Sequence, residues 1–214
     1  MHHRQETATP LQDIPGFTTT LQAFRDQPAQ LHVLYGHSSC YLLGLALGSA
    51  TGDTVAVIDG GMKFNSYVLA ELAAVVSCSP QELLRRTYLT RSFTAFQTEA
   101  AITAKLPPFI ASSRCRSVII LDLLDTFYDD QIRPAECRES VHRILRTIQQ
   151  LVAQNVHVLI AGVLVEHPPP GKENLFPLLQ EAAHHVLAIH PEGHMLRLSE
   201  ERNPPWAGTM IPLR

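Results

Sequence analysis

Four short apolar runs constrain this chain more than any other feature: Leu31-His-Val-Leu-Tyr-Gly36, Thr54-Val-Ala-Val-Ile-Asp59, Ser117-Val-Ile-Ile-Leu-Asp-Leu123 and His157-Val-Leu-Ile-Ala-Gly-Val-Leu-Val165. Their apolarity is nearly continuous rather than alternating, as in strands buried on both faces. Stretches of helical periodicity separate them, and strands alternating with helices require crossover connections. The expected class is therefore α/β, with a mostly parallel sheet flanked by helices. The 214 residues, 45% apolar and 17% charged, suffice for one sizeable core and are too apolar for disorder.

The intervening segments fill in the order. Ser38 or Ser39 can cap a helix from Cys40 to about Gly48, and a second helix runs from about Asn65 to Val76. Ser79-Pro-Gln-Glu82 has the pattern of a capping box opening a third helix, with proline at its first position. A strand is expected over Thr87 to Thr90 and a helix over Thr94 to Ala104. Cys137 to Asn155 is strongly amphipathic, with Val141, Ile144, Leu145, Ile148, Leu151 and Val152 at helical spacing. His167 to Gly171 reads as a loop, Leu175 to Ala183 as a helix, and Val186 to Ile189 with Met195 to Leu198 as a hairpin. Residues 1–30 are polar and proline-bearing, a leader ahead of a core spanning 31–214.

Composition removes several function classes. With 17 Lys+Arg against 20 Asp+Glu, the net charge of −3 argues against a chain held to nucleic acid by bulk charge. No apolar run approaches the roughly 20 residues of a membrane span, and the first residues lack the apolar segment of a signal peptide. Cys40, Cys78, Cys115 and Cys137 form no C-x-x-C pair, so a reduced compartment is expected: cytoplasmic, or nucleoid or nuclear if DNA is bound. His184, His185, His190 and His194 cluster, but no carboxylate or thiol stands at a metal-ligand spacing, so no metal site is expected.

The order of segments resembles the ATPase core of the RecA/RadA recombinase family, particularly its archaeal and eukaryotic branch. Pro15-Gly16-Phe17 to Tyr35-Gly36 is similar to the approach to that family's phosphate loop, and Val57-Ile-Asp59 with Phe64 to the strand and turn carrying its catalytic glutamate. Ser79 to Leu84, Tyr88-Leu-Thr-Arg-Ser-Phe93 and Gln97 are similar to the helix–strand–helix passage that follows. Val118-Ile-Ile-Leu-Asp122 resembles the Walker B strand, and Ser140 to Leu151 the helix after the first DNA-binding loop. The resemblance implies a RecA-like P-loop NTPase fold.

The departures bear on activity. A working phosphate loop reads G-x-x-x-x-G-K-[ST], its lysine reaching the terminal phosphates and its hydroxyl holding magnesium. Tyr35-Gly-His-Ser-Ser-Cys-Tyr41 keeps Gly36 but lacks the second glycine and the lysine, with Ser39 or Cys40 at the metal-ligand place. Gly60-Gly61 stands where the family has its water-activating carboxylate. The expectation is a degenerate nucleotide site of Gly36, Ser38, Ser39, Cys40 and Asp122, without catalysis and without ATP or magnesium as a working cofactor. Cys40 reads either as a thiol of lowered pKa at a helix start or as a small core residue.

Three positions fall where the family contacts DNA: Arg133 and Arg138 around the first loop, and Lys172 in the second. Asp129, Asp130 and Glu136 offset the arginines, and Phe127 and Tyr128 read either as base-stacking or as core residues. Recombinases assemble through an aromatic-bearing linker, so Phe17 and Phe24 become candidate docking residues, or else covers of the core. The resemblance implies a recombinase paralogue without ATPase activity, acting in recombinational repair by binding a recombinase, another paralogue or DNA, in a homo- or hetero-oligomer. An ATPase-less structural subunit of an unrelated complex is the alternative, and a residual ATP-binding protein a further one.

Overall fold

Each of the four apolar runs becomes a strand of one sheet. The computed structural model describes residues 24–75, 78–193, 195–202 and 210–212. The strands are β1 (Leu31–Gly36), β2 (Thr54–Asp59), β3 (Thr87–Arg91), β4 (Cys115–Leu121), β5 (His157–Gly162), β6 (His185–Glu192), β7 (Met195–Arg202) and β8 (Met210–Pro212). They lie in the order β3-β2-β4-β5-β1-β6-β7-β8. β3 through β6 in that order are mutually parallel, and β7 and β8 add antiparallel strands at one side. Register brings Val57 beside Ile119 and Val33 beside Ile160, so buried residues meet buried residues across the centre.

Helices cover both faces because every central strand is apolar on both sides. On one face α1 (Ser39–Ser49), α2 (Ser66–Val75) and α3 (Pro80–Arg86) pack Leu43, Leu47, Leu69, Leu72 and Leu83 over Leu34, Val57, Ile119 and Leu159. On the other, α4 (Ala95–Ala100), α5 (Leu106–Ser112), α6 (Pro134–Ala153) and α7 (Leu175–Ala182) cover Val33, Ile58, Ile120 and Val158. The apolar stripe of α6 delivers Val141, Ile144 and Ile148, each fully buried.

The differences from expectation have local causes. The helix expected to stop at Ala104 continues through a wide π-turn, Ala101–Lys105, into α5. Pro107 and Pro108 sit at the opening of α5, where missing amides are tolerated, and the wide turn absorbs the change. α6 begins earlier than Cys137, with Pro134 at its first position. β4 stops at Leu121 because Asp122 adopts a left-handed φ of 47°. β5 stops at Gly162, leaving Val163, Leu164 and Val165 exposed. Strand β8 is too short to leave a pattern. At Ser79 the expected cap forms, its hydroxyl accepting the Glu82 amide at 3.2 Å. Thr94 does the same for Gln97 at 3.2 Å. Among the described residues no helix is long and apolar enough to cross a membrane.

Candidate functional site

β1, β2, β4 and β5 deliver Gly36, Asp59, Asp122 and Gly162 to one end of the sheet, the carboxyl end at which open parallel sheets bind ligands. Asp122 is its centre. The left-handed backbone there turns the side chain into a buried niche, where Oδ2 accepts the Tyr41 hydroxyl at 2.7 Å and Oδ1 accepts the Val163 amide at 3.2 Å. The Lys63 ammonium stands 4.0 Å from Oδ2. Two glycines wall the niche: a Cβ on Gly61 would lie 2.3 Å from Oδ2, and one on Gly162 2.9 Å from Oδ1. Gly61 therefore makes room for Asp122.

Burial raises the Asp122 pKa, and the Tyr41 hydroxyl, the Val163 amide and Lys63 oppose the rise while Asp125 adds to it. Burial, then the hydrogen bond to Asp122, pushes the Tyr41 phenol far above its ordinary range. Burial and then the charge of Asp122 push the Cys40 thiol up to about 12, so Cys40 is the small core residue and not an activated thiol. Neither side chain offers a nucleophile near neutrality.

The start of α1 is equally occupied. An anion cradle needs free backbone N–H groups. Here the amide of His37 donates to the Ile189 carbonyl at 3.0 Å, that of Cys40 to His37 at 2.9 Å and that of Tyr41 to Ser38 at 3.2 Å. The Ser39 amide donates to Nδ1 of His37 at 3.3 Å, and the Ser39 hydroxyl faces the same nitrogen at 2.9 Å. Ser38 has the N-cap position but makes no side-chain cap. Beside Asp122 lies a cavity of about 40 Å³ lined by Tyr35, Leu124, Tyr128, Val163 and Phe176. It has room for about three waters.

Asp59, which closes the strand of the Val57-Ile-Asp59 run, organises the adjoining turn. It is fully buried, accepts the Lys63 and Phe64 amides at 2.8 and 3.0 Å, and lies 3.6 Å from the Arg91 guanidinium. The signal available for it was a lone carboxylate closing an apolar strand ahead of two glycines, a turn-capping arrangement. Among the described residues no three His, Cys, Asp or Glu side chains converge as metal ligands.

The residues expected at DNA separate. Arg133 is exposed and pairs with Glu136, and Arg138 is exposed on α6. Lys172 is buried, its ammonium donating to the carbonyl of Phe127 at 3.0 Å and to that of Asp129, so it is not available to a phosphate. Phe127 is a core residue, and Tyr128 is half-buried against the same core. Phe24 also lies fully buried and covers the core, whereas Phe17 lies outside the described residues.

A second surface lies at β3, the edge of the parallel part of the sheet. Tyr88 and Leu89 on the strand are exposed, as are Leu84 before it and Phe93 and Phe96 after it. Behind the edge a groove of about 340 Å³ runs between β2–β3 and the π-turn with α5, lined by Tyr88, Leu89, Lys105, Leu106 and Phe109. An open edge with apolar side chains is a template for a further strand, and proteins without a use for one usually cover or charge it. Compared with known proteins, the chain matches no family model and no curated protein.

Proposed function

We propose that this chain is a non-catalytic RecA-like protein that acts in recombinational repair by binding a recombinase or a recombinase paralogue. The hydrogen bond from Tyr41 to Asp122 carries the reading. In an active site of this fold the Walker B aspartate faces magnesium, and here a phenol from α1 occupies the same carboxylate. The partnered amides at the start of α1 and the absent phosphate-loop lysine point the same way. The strand order, with β5 between β1 and β4 and antiparallel strands appended beyond β6, is compatible with a RecA-like core.

With no chemistry to perform, recognition falls to the surface, and the β3 edge is its place. The occupant that fits is an extended segment of the partner, pairing its backbone with β3 and setting an apolar side chain into the groove. Lys105 in the groove favours an acidic flank on that segment. The test is calorimetric titration of the purified chain with the recombinase of its own host, and separately with MgATP. Saturable recombinase binding that Leu89→Glu weakens at least tenfold, with no MgATP binding, is the expected result. MgATP binding abolished by Asp122→Ala, without recombinase binding, would overturn the reading.

A further inference from the structure

At the end of the sheet opposite Asp122, three adjacent strands carry histidine near their amino termini: His157 on β5, His32 on β1 and His185 on β6. All three are buried. By strand alternation they share a face with Leu159, Leu34 and Leu187. The rings of His32 and His185 stack at 4.7 Å and 14°. The ring of Phe24, on the helical turn 24–26 that precedes β1, closes over the row at 5.0 Å from His32 and 4.8 Å from His157.

Packing alone does not account for imidazoles here. Neither ring nitrogen of His32 makes a hydrogen bond, nor does Nδ1 of His157, a desolvation cost that valine or isoleucine would avoid. His185 alone of the three is bonded at both nitrogens, by Glu200 at 2.5 Å and by the Gln30 side chain at 3.0 Å. Stacked rings hold their nitrogens side by side rather than convergent, which does not suit a metal ion. The titratable groups facing His32 are His157 from β5, His184 and His185 from the β6 side, and Glu200 of β7 through His185. The covering face contributes little charge: α1 has none in its last turn, and Arg25 and Asp26 pair with each other at the surface.

We propose that this row is a proton-operated latch: Phe24 holds the turn 24–26 against the sheet while His32 and His157 are neutral, and lets it go when they take up protons. Burial, reinforced by His185 and His157, lowers the His32 pKa from 6.5 to about 3, with the Gln30 backbone opposing. Burial also lowers that of His157. The closed form thus refuses protons that a solvated imidazole accepts below 6.5, so its advantage is complete above pH 6.5 and declines as the pH falls below it. The latch does not depend on the identity of any partner.

The test replaces Phe24 with 4-cyanophenylalanine in the full chain and follows the nitrile stretch, which reports hydration, from pH 7.5 to 4.5. A buried-type frequency at pH 7.5 is expected to give way to a hydrated one with a midpoint below 6.5, while far-ultraviolet dichroism stays unchanged. The double variant His32→Leu, His157→Leu is expected to remove the transition. A nitrile that stays buried throughout, a transition that survives in the double variant, or simultaneous loss of the dichroism signal would each overturn the latch. Should the double variant fail to fold, the imidazole Cε1–H resonances of the unsubstituted chain decide. His32 and His157 must gain protons over the interval in which the nitrile moves, and protonation outside it overturns the proposal.

Discussion

At the scale of single residues the end of the sheet is governed by Asp122 and the three positions that enclose it. Tyr41→Phe removes a donor from a buried carboxylate and is expected to lower stability by about 1–3 kcal/mol in urea unfolding. Gly61→Ala sets a methyl against Oδ2 and is expected to lower stability by about 1–3 kcal/mol through overpacking, read in the same assay. Sequence alone singled out Asp122 and Gly36, because a residue that closes an apolar run is a local property. It could not pair Asp122 with Tyr41, 81 residues away, nor show that His37 turns its ring onto the Ser39 amide. Lys172 misled for the same reason: a loop lysine looks solvated until the fold closes two carbonyls around it.

At the scale of elements, periodicity carried most of the information. α6 was visible as an apolar stripe and lies with that stripe in the core, so Ile144→Ala is expected to cost about 2–5 kcal/mol, while the exposed Arg146→Ala stays within about 0.5 kcal/mol, both by denaturant titration. The open edge β3 behaves in the opposite sense. Leu89→Glu there is expected to change stability by no more than about 0.5 kcal/mol while weakening partner binding, and a matching loss of both would mean that the edge is core. The pattern failed where a side chain, not the strand itself, ended the element. Val163 to Val165 read as a continuation of β5, yet the Asp122 carboxylate takes the Val163 amide and the chain leaves the sheet. The π-turn was equally hidden, because proline marks where a helix must change without saying that it continues.

At the scale of the whole molecule, stability follows the protons that the fold excludes. An unfolded chain protonates His32 below pH 6.5, whereas the closed form resists down to about 3. His32 is therefore expected to withdraw at most about 2 kcal/mol of unfolding free energy at pH 5 relative to pH 7.5, the full amount only if Phe24 stays closed, checked by urea titrations at the two values and lessened in His32→Leu. Glu99 acts with the same sign at lower pH. The Arg143 hydrogen bond holds its carboxyl below 4.5, so the tie it makes between α4 and α6 is complete above that value and weakens as acid protonates it. The α/β class and the parallel order of the sheet were readable from the alternation of runs. The histidine row was not, because its members are spread over three strands and meet only through the strand order.

The contact between Asp122 and Gly61 also bears on how such a chain can change over generations. Any side chain at position 61 collides with the Asp122 carboxylate at its first carbon. Removing Tyr41 leaves the same buried acid short of its hydroxyl donor. Substitutions that alter surface recognition remain open to the chain, whereas at the Asp122 niche each single change carries a folding cost.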